Sequence, residues 1–286
     1  MFGKTNDGMK VKFWGVRGSI AVPGAEYYKY GGNTSCVEVR CGDSIIVLDA
    51  GTGIRGLGMS LLKEFGDKPI NINILISHTH WDHIQGFPFL PHIYIPGNTI
   101  NLYGGHTVNT LEKLIMVQMH REYHPVTIYE LAADVNFFEL TQNQFRIGET
   151  DILFTHLLHP GLSLGFRLVH EGKILAYLTD NEILPNKDMA QYNWENIGHL
   201  IKNADMVIAD CQYSEEEYSK KIGWGHSSIN QVVKICSEYG VKTLSAFHHD
   251  PIHTDKDIDK MVKEARKHAG NGLRVYGARE GKEIIL

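Results

Sequence analysis

The sequence predicts an α+β fold in which two β-sheets lie face to face with helices outside. Two observations predict it. Short apolar runs rich in β-branched residues recur along all 286 residues, and only a few stretches between them carry a helical period. The strands cluster early, a helix-bearing middle follows, and strands return, which suits two packed sheets.

The runs read as strands in chain order are Val11 to Val16, Ser35 to Arg40, Ser44 to Leu48, Ile72 to Ile76, Ile152 to Leu158, Leu164 to Val169, Ile174 to Leu178, Met206 to Ala209 and Thr243 to Phe247. Each is short and bounded by turn-forming or polar residues, which favours a strand over a helix. Three stretches read as helices. Residues 107–119 place Leu111, Leu114, Ile115 and Met119 on one face. Ile229, Val232, Val233 and Cys236 follow i, i+3, i+4, i+7 behind an N-cap at Ser227 or Ser228, and Ile258, Met261, Val262 and Ala265 repeat that spacing after Thr254-Asp255. No repeat, linker or composition break divides the chain. One domain is expected over 9–286, with residues 1–8 as a flexible extension.

Composition narrows the classes of function. A hydrophobic fraction of 43% and a charged fraction of 21% are ordinary for a globular protein. The net charge of −5, with no block of Lys or Arg, gives no support to a long nucleic-acid partner, so no stable nucleic-acid complex is expected. No apolar stretch reaches 18 residues, and the polar start from Met1 to Asp7 lacks a signal-peptide core, so no membrane association is expected. Cys36, Cys41, Cys211 and Cys236 show no C-x-x-C pairing and read as reduced thiols of a cytoplasmic protein.

The chemistry starts at His78-Thr79-His80-Trp81-Asp82-His83. Three histidines and an aspartate crowd the corner that follows a buried strand. Imidazole nitrogen with carboxylate oxygen suits zinc, manganese or iron. Three further candidates also stand behind apolar runs: His159 before Pro160-Gly161, Asp180 after Lys173 to Thr179, and His248 after Phe247, with His249 as a rival to His248.

His78-x-His80-x-Asp82-His83, then His159, Asp180 and His248 in that order, resembles the metallo-β-lactamase superfamily, and Asp49 in Leu48-Asp49-Ala50-Gly51-Thr52-Gly53 matches its first acidic motif. The resemblance spans nearly the whole chain. It implies a four-layer αβ/βα sandwich with the site at one edge of the two sheets, and two divalent ions: Zn2+ first, Mn2+ or Fe2+ as alternatives. By resemblance, His78, His80 and His159 hold one ion, and Asp82, His83 and His248 hold the other. Asp180 bridges them, with a hydroxide between, and Asp49 orients ligands without binding metal. His80, where the oxygen-reducing branch has glutamate, and Asp180, where some lactamase-type sites have cysteine, favour hydrolysis.

The segment Asp210-Cys211-Gln212-Tyr213, with Gly225-His226-Ser227-Ser228 further on, resembles the phosphodiesterase branch that includes ribonuclease Z. That resemblance implies that Asp210 and His226 form a pair at the leaving group, with Asp82 also orienting the nucleophile. Asp210 departs from the family's usual glutamate, and Ser228 stands where threonine is common. The bond chemistry agrees: an expelled alkoxide needs a proton, and an imidazole held protonated by a carboxylate can give it. Asn33, Thr34 and Ser227 are candidate substrate contacts. No long basic insertion like the tRNA-gripping arm of ribonuclease Z is legible, so a small phosphodiester is expected, a cyclic nucleotide first; the resemblance implies a homodimer. A nuclease acting on RNA or DNA ends, a thioester or lactone hydrolase, and a non-catalytic binding protein are the alternatives. The aromatics of 86–150, from Phe87 to Phe138, are expected to build a lid, a subunit contact or plain core.

Overall fold

The computed structural model describes residues 8–105, 110–185 and 191–286. The expected N-terminal extension, apart from Gly8, and the first residues of the 107–119 stretch lie outside the described residues.

The first half runs β1 (Met9–Gly15), β2 (Cys36–Cys41), β3 (Ser44–Leu48), α1 (Ile54–Phe65), β4 (Asn71–Ile76), α2 (Trp81–Ile84), β5 (Thr99–Gly104), α3 (Leu111–Gln118) and β6 (Asp134–Glu139). The second half runs β7 (Gln144–Ile147), β8 (Thr150–Leu157), β9 (Ser163–His170), β10 (Lys173–Leu178), α4 (Gln191–Ile201), β11 (Met206–Asp210), α5 (Glu215–Tyr218), α6 (Ile229–Glu238), β12 (Thr243–Phe247), α7 (Asp255–His268), β13 (Arg274–Gly277) and β14 (Glu283–Ile285). The strands form two sheets, ordered β14-β1-β2-β3-β4-β5-β6 and β13-β12-β11-β10-β9-β8-β7.

Period-2 alternation sorts the side chains into layers. Ile46, Leu48 and Leu75 of the first sheet meet Phe166, Tyr177, Ile208 and Phe247 of the second in the central core. Their neighbours Ile45, Val47, Ile72, Ile74 and Ile76 face outward onto α1 and α3 residues. On the far side, Val207, Ala209, Leu244 and Ala246 pack against α4, α6 and α7. The result is helix, sheet, sheet, helix: the four-layer sandwich that the sequence predicts.

The strand registers decide where the chemistry falls. β3, β4, β5 and β6 pair in parallel, as do β10, β11, β12 and β13. β8 is antiparallel to β9, which is antiparallel to β10, so β8 runs with β10. The carboxyl ends of β8, β10, β11 and β12 therefore share one edge of their sheet. Crevices beyond the carboxyl ends of parallel strands are where open α/β sheets place ligands.

Helix α1, with β5, β6, β7, β13 and β14, adds to the elements that the sequence alone marks most clearly. Two glycines dilute the periodicity of α1, yet Gly58 is needed: a Cβ there would lie 2.4 Å from Pro91 Cδ. The aromatics of 86–150 divide. Phe87 is buried, Tyr103 stacks on Phe138 at 4.7 Å, and Phe89 and Tyr123 are exposed. All four cysteines are buried and unpaired. Among the described residues no helix is long and apolar enough to cross a membrane.

Candidate metal centre

The ends of β3, β4, β8, β10, β11 and β12 deliver Asp49, the 78–83 array, His159, Asp180, Asp210 and His248 to one place. Sharp backbone turns do this. Asp49, Asp180 and His248 are non-glycine residues with φ of 60°, 48° and 57°, and Ser19 beside them has φ 62°. Left-handed backbone at non-glycine residues is costly and collects at functional sites.

Among the described residues three groups of ligand atoms result, each within 4.8 Å of one another: His78, His80, His159 and Asp180; Asp82, His83 and His248; and Asp180, His226 and His248, which overlaps the first two. Asp180 lies between the first two, with Oδ1 3.1 Å from His83 Nε2 and 3.1 Å from His248 Nε2, and Oδ2 3.5 Å from His78 Nε2 and 3.6 Å from His159 Nε2. Imidazole nitrogens also face each other, His83 Nε2 to His248 Nε2 at 3.3 Å and His159 Nε2 to His80 Nδ1 at 3.2 Å. Two nitrogens on one tetrahedral ion would sit roughly 3.3 Å apart, given metal–nitrogen bonds of about 2.0–2.1 Å. His78 Nε2 is buried and has no hydrogen-bond partner. A buried, unpartnered nitrogen aimed among carboxylates fits a cation, and so does the donor set.

The surrounding contacts hold these side chains in place. Asp49 is buried and binds no ligand position. It accepts from Ser77 N at 2.7 Å, Ser77 Oγ at 2.8 Å and Tyr177 Oη at 2.7 Å, and pairs with His83 Nδ1 at 2.8 Å. That bond presents His83 Nε2 to the centre. Burial disfavours a charged His83, but Asp82, Asp180 and Asp49 outweigh it and raise its pKa well above the usual range. Ser19 N donates to Asp82 Oδ2 at 2.8 Å, and His159 Nδ1 pairs with Gly225 O at 2.9 Å. His248 faces the centre, whereas His249 Nε2 bonds Ala278 O at 3.0 Å, away from it.

Asp210 and His226 are brought together at the same edge. Asp210 Oδ2 and His226 Nδ1 are 2.5 Å apart. The His226 ring lies 5.2 Å from that of His159 and stacks on His248 at 5.2 Å. Burial works against protonating His226, but the Asp210 carboxylate overcomes it and lifts the imidazole to about 9.

The three candidate substrate contacts are held by neighbouring loops. Ser227 is fully buried, donates to Asn181 O at 2.6 Å and accepts from Ile183 N at 2.9 Å. Thr34 is fully buried, and its Oγ1 accepts from Thr52 N at 2.9 Å. Asn33 is bound to Glu280 through both its backbone N, at 2.6 Å, and its Nδ2, at 2.9 Å. The polar side chains of all three have partners within the protein, and Asn33 remains half-buried.

Sequence reasoning missed Tyr177, Ser19 and Glu182. Tyr177 was visible only as an inward position of β10. Glu182 is buried two residues beyond Asp180 and accepts from Gly223 N and Gly225 N, each at 2.9 Å. The one sequence signal for Glu182 was an acid beside the apolar pair Ile183-Leu184.

Gly225 has φ +84°, and a Cβ there would lie 2.4 Å from His159 Nδ1. Gly225→Ala is therefore expected to displace His159 and weaken metal affinity by about 10–100-fold, the usual cost of disturbing a ligand's outer support. Competition titration with a chromogenic chelator measures this, and unchanged affinity would show that the close approach is not needed.

Comparisons with known proteins agree with this architecture. The family model for the beta-lactamase superfamily domain matches residues 45–249. A ribonuclease Z from Methanococcus maripaludis strain C7 is 25% identical over 274 residues, covering 90% of this chain and 79% of its own. The metallo-beta-lactamase fold protein YhfI from Bacillus subtilis superposes with a TM-score of 0.70 at 20% identity, over 97% of this chain and 99% of that one. A diphosphatase from the PhnP family superposes with a TM-score of 0.67 at 16% identity, over 97% and 98% of the two chains. With the matched model spanning well over half of the sequence, the chain belongs to the metallo-β-lactamase superfamily.

Proposed function

We propose that this chain is a metal-dependent phosphodiesterase that hydrolyses a small nucleotide phosphodiester, a 3′,5′-cyclic nucleotide first, with residues 9–286 acting as one domain. The observation that carries the reading is the Asp210–His226 pair placed against the ligand cluster. An expelled alkoxide needs a proton, which a positioned imidazolium beside the leaving group can give, whereas the thiolate expelled from a thioester has far less need of one.

In this reading His78, His80 and His159 hold one divalent ion and Asp82, His83 and His248 the second, with Asp180 between them. When bound, the ions would neutralise the non-bridging phosphate oxygens and lower the pKa of the attacking water. Asp82, fixed by the Ser19 amide, keeps its carboxylate turned to the centre and orients that water. Asp210 holds the Nδ1 proton of His226, which leaves Nε2 to protonate the departing oxygen.

Zinc is the first choice of metal, with manganese or iron as alternatives. The proposal extends to a homodimer in the cytoplasm, with sedimentation measuring the assembly. The name of one relative, a ribonuclease Z, supports phosphodiester chemistry. The net charge of −5 favours a small substrate over a folded RNA. The ribonuclease relative keeps a nuclease acting on RNA ends as the second reading, and salt-sensitive binding of an oligonucleotide would favour it.

The test is hydrolysis of bis(p-nitrophenyl) phosphate and of a panel of 3′,5′-cyclic nucleotides, dinucleotides and short RNAs. Chelation should abolish activity, and zinc, manganese or cobalt should restore it. No diesterase activity with any of these metals would overturn the reading.

A further inference from the structure

The loop that carries His226 also presents an indole to solvent, and it does so rigidly. Trp224 is 60% exposed. An isolated exposed tryptophan needs no explanation by itself. This one is distinguished by its anchoring. The residues on both sides, Gly223 and Gly225, have φ of +85° and +84°, and both donate their amides to the buried Glu182 carboxylate at 2.9 Å. Tyr218 Oη donates to the same carboxylate at 2.9 Å.

Beyond the clamp, Gly225 O holds His159, and the next residue is His226. The Lys221 ammonium lies 5.8 Å from the Trp224 ring centroid and 4.1 Å from that of Tyr213. A flat ring thus stands two residues before the proposed proton donor, with a cation beside it and most of its surface open. Holding a side chain in place before binding lowers the entropy cost of binding.

We propose that Trp224 is a stacking platform for the nucleobase of the nucleoside that bears the substrate's leaving oxygen, and that Glu182 is the positioning residue that holds the platform still. This rests on the phosphodiesterase reading, because it takes the His226 side of the centre as the leaving-group side. It narrows the substrate to a phosphodiester bearing a flat aromatic base. A base offers a π-face whatever its identity, so the platform selects nucleotides over other diesters without choosing among bases.

The experiment measures affinity of the metal-loaded protein for AMP and for ribose 5-phosphate, which share a sugar phosphate and differ by the base. The wild-type protein should prefer AMP by about tenfold or more. Trp224→Ala should collapse that preference, Trp224→Phe should restore most of it, and Glu182→Gln should reduce it in part. Tyr129→Ala, a change at another exposed aromatic, should leave it alone. AMP should also quench tryptophan emission in the wild type and not in Trp224→Phe. Equal affinity for the two ligands in the wild type, or a preference that survives Trp224→Ala, overturns the platform. So does a change of oligomeric state in Trp224→Ala with the preference intact, which would assign the indole to a subunit contact. These are binding measurements. Absence of diesterase turnover would overturn the function reading and leave the platform to be judged by them.

Discussion

Replacing His226 with alanine is expected to cut diesterase turnover by roughly 10²–10⁴-fold, the range for losing a positioned acid, while metal content stays unchanged. The geometry separates the two effects. His226 pairs with Asp210, and the ligand atoms around Asp180 pair among themselves, so removing the imidazole leaves the two ligand groups without His226 standing. Elemental analysis and turnover on bis(p-nitrophenyl) phosphate should be measured on the same preparation. Loss of metal along with activity would make His226 a ligand, an arrangement that its approach to Asp180 and His248 permits geometrically. The pH profile gives a second readout. His226 is lifted to about 9, so its acid form is present below that pH and is lost as pH rises through it. Asp210→Asn removes the charge that raises the imidazole and leaves burial, which lowers it. The alkaline limb should therefore move to lower pH. A limb that stays in place would separate Asp210 from the proton donor.

Asp180→Ala should have the largest effect of all. Its carboxylate stands within 3.6 Å of His78, His83, His159 and His248, so its loss removes the one group common to both halves of the centre. Five histidines would then face one another with Asp82 as the only ligand-type carboxylate among them. Activity should drop below detection, and bound metal should fall to a fraction of the wild-type content. Retention of full metal with activity intact would rule out a bridging role. Asp49→Ala is a useful contrast. It leaves the ligands in place but frees His83 Nδ1, Ser77 and Tyr177 in a buried space, where each unsatisfied polar group costs about 1–3 kcal/mol. Its damage should therefore include folding stability.

The strands were legible because their side-chain period is simple and their cores are β-branched. Ser44–Leu48 and Thr243–Phe247 have the same bounds in sequence and structure. Helix α6 was equally clear, because its apolar period and the Ser228 cap agree. Helix α1 was less legible because Gly56 and Gly58 weaken local propensity, and packing against Pro91 supplies what propensity lacks. Asn33, Thr34 and Ser227 looked accessible because they sit in polar loops. Burial and hydrogen bonding depend on which distant loop lies against them, and no local pattern carries that.

By itself the sequence determined the residue types and their order behind apolar runs: a His/Asp ligand set, two stacked sheets, and an acid and a histidine set apart from the first array. These follow from short-range rules, the period of a strand and the donor preference of a metal. Only the tertiary structure decided that His248 and not His249 faces the centre. It also decided that Asp49 serves His83 and that Glu182 clamps the loop bearing Trp224. Those outcomes depend on β3, β4, β10 and β12, drawn from both sheets, carrying their ends to one place, and on left-handed turns at Asp49, Asp180 and His248. A one-residue slip in a strand would reverse every such choice, so register, which is fixed by long-range pairing, is where the site is made.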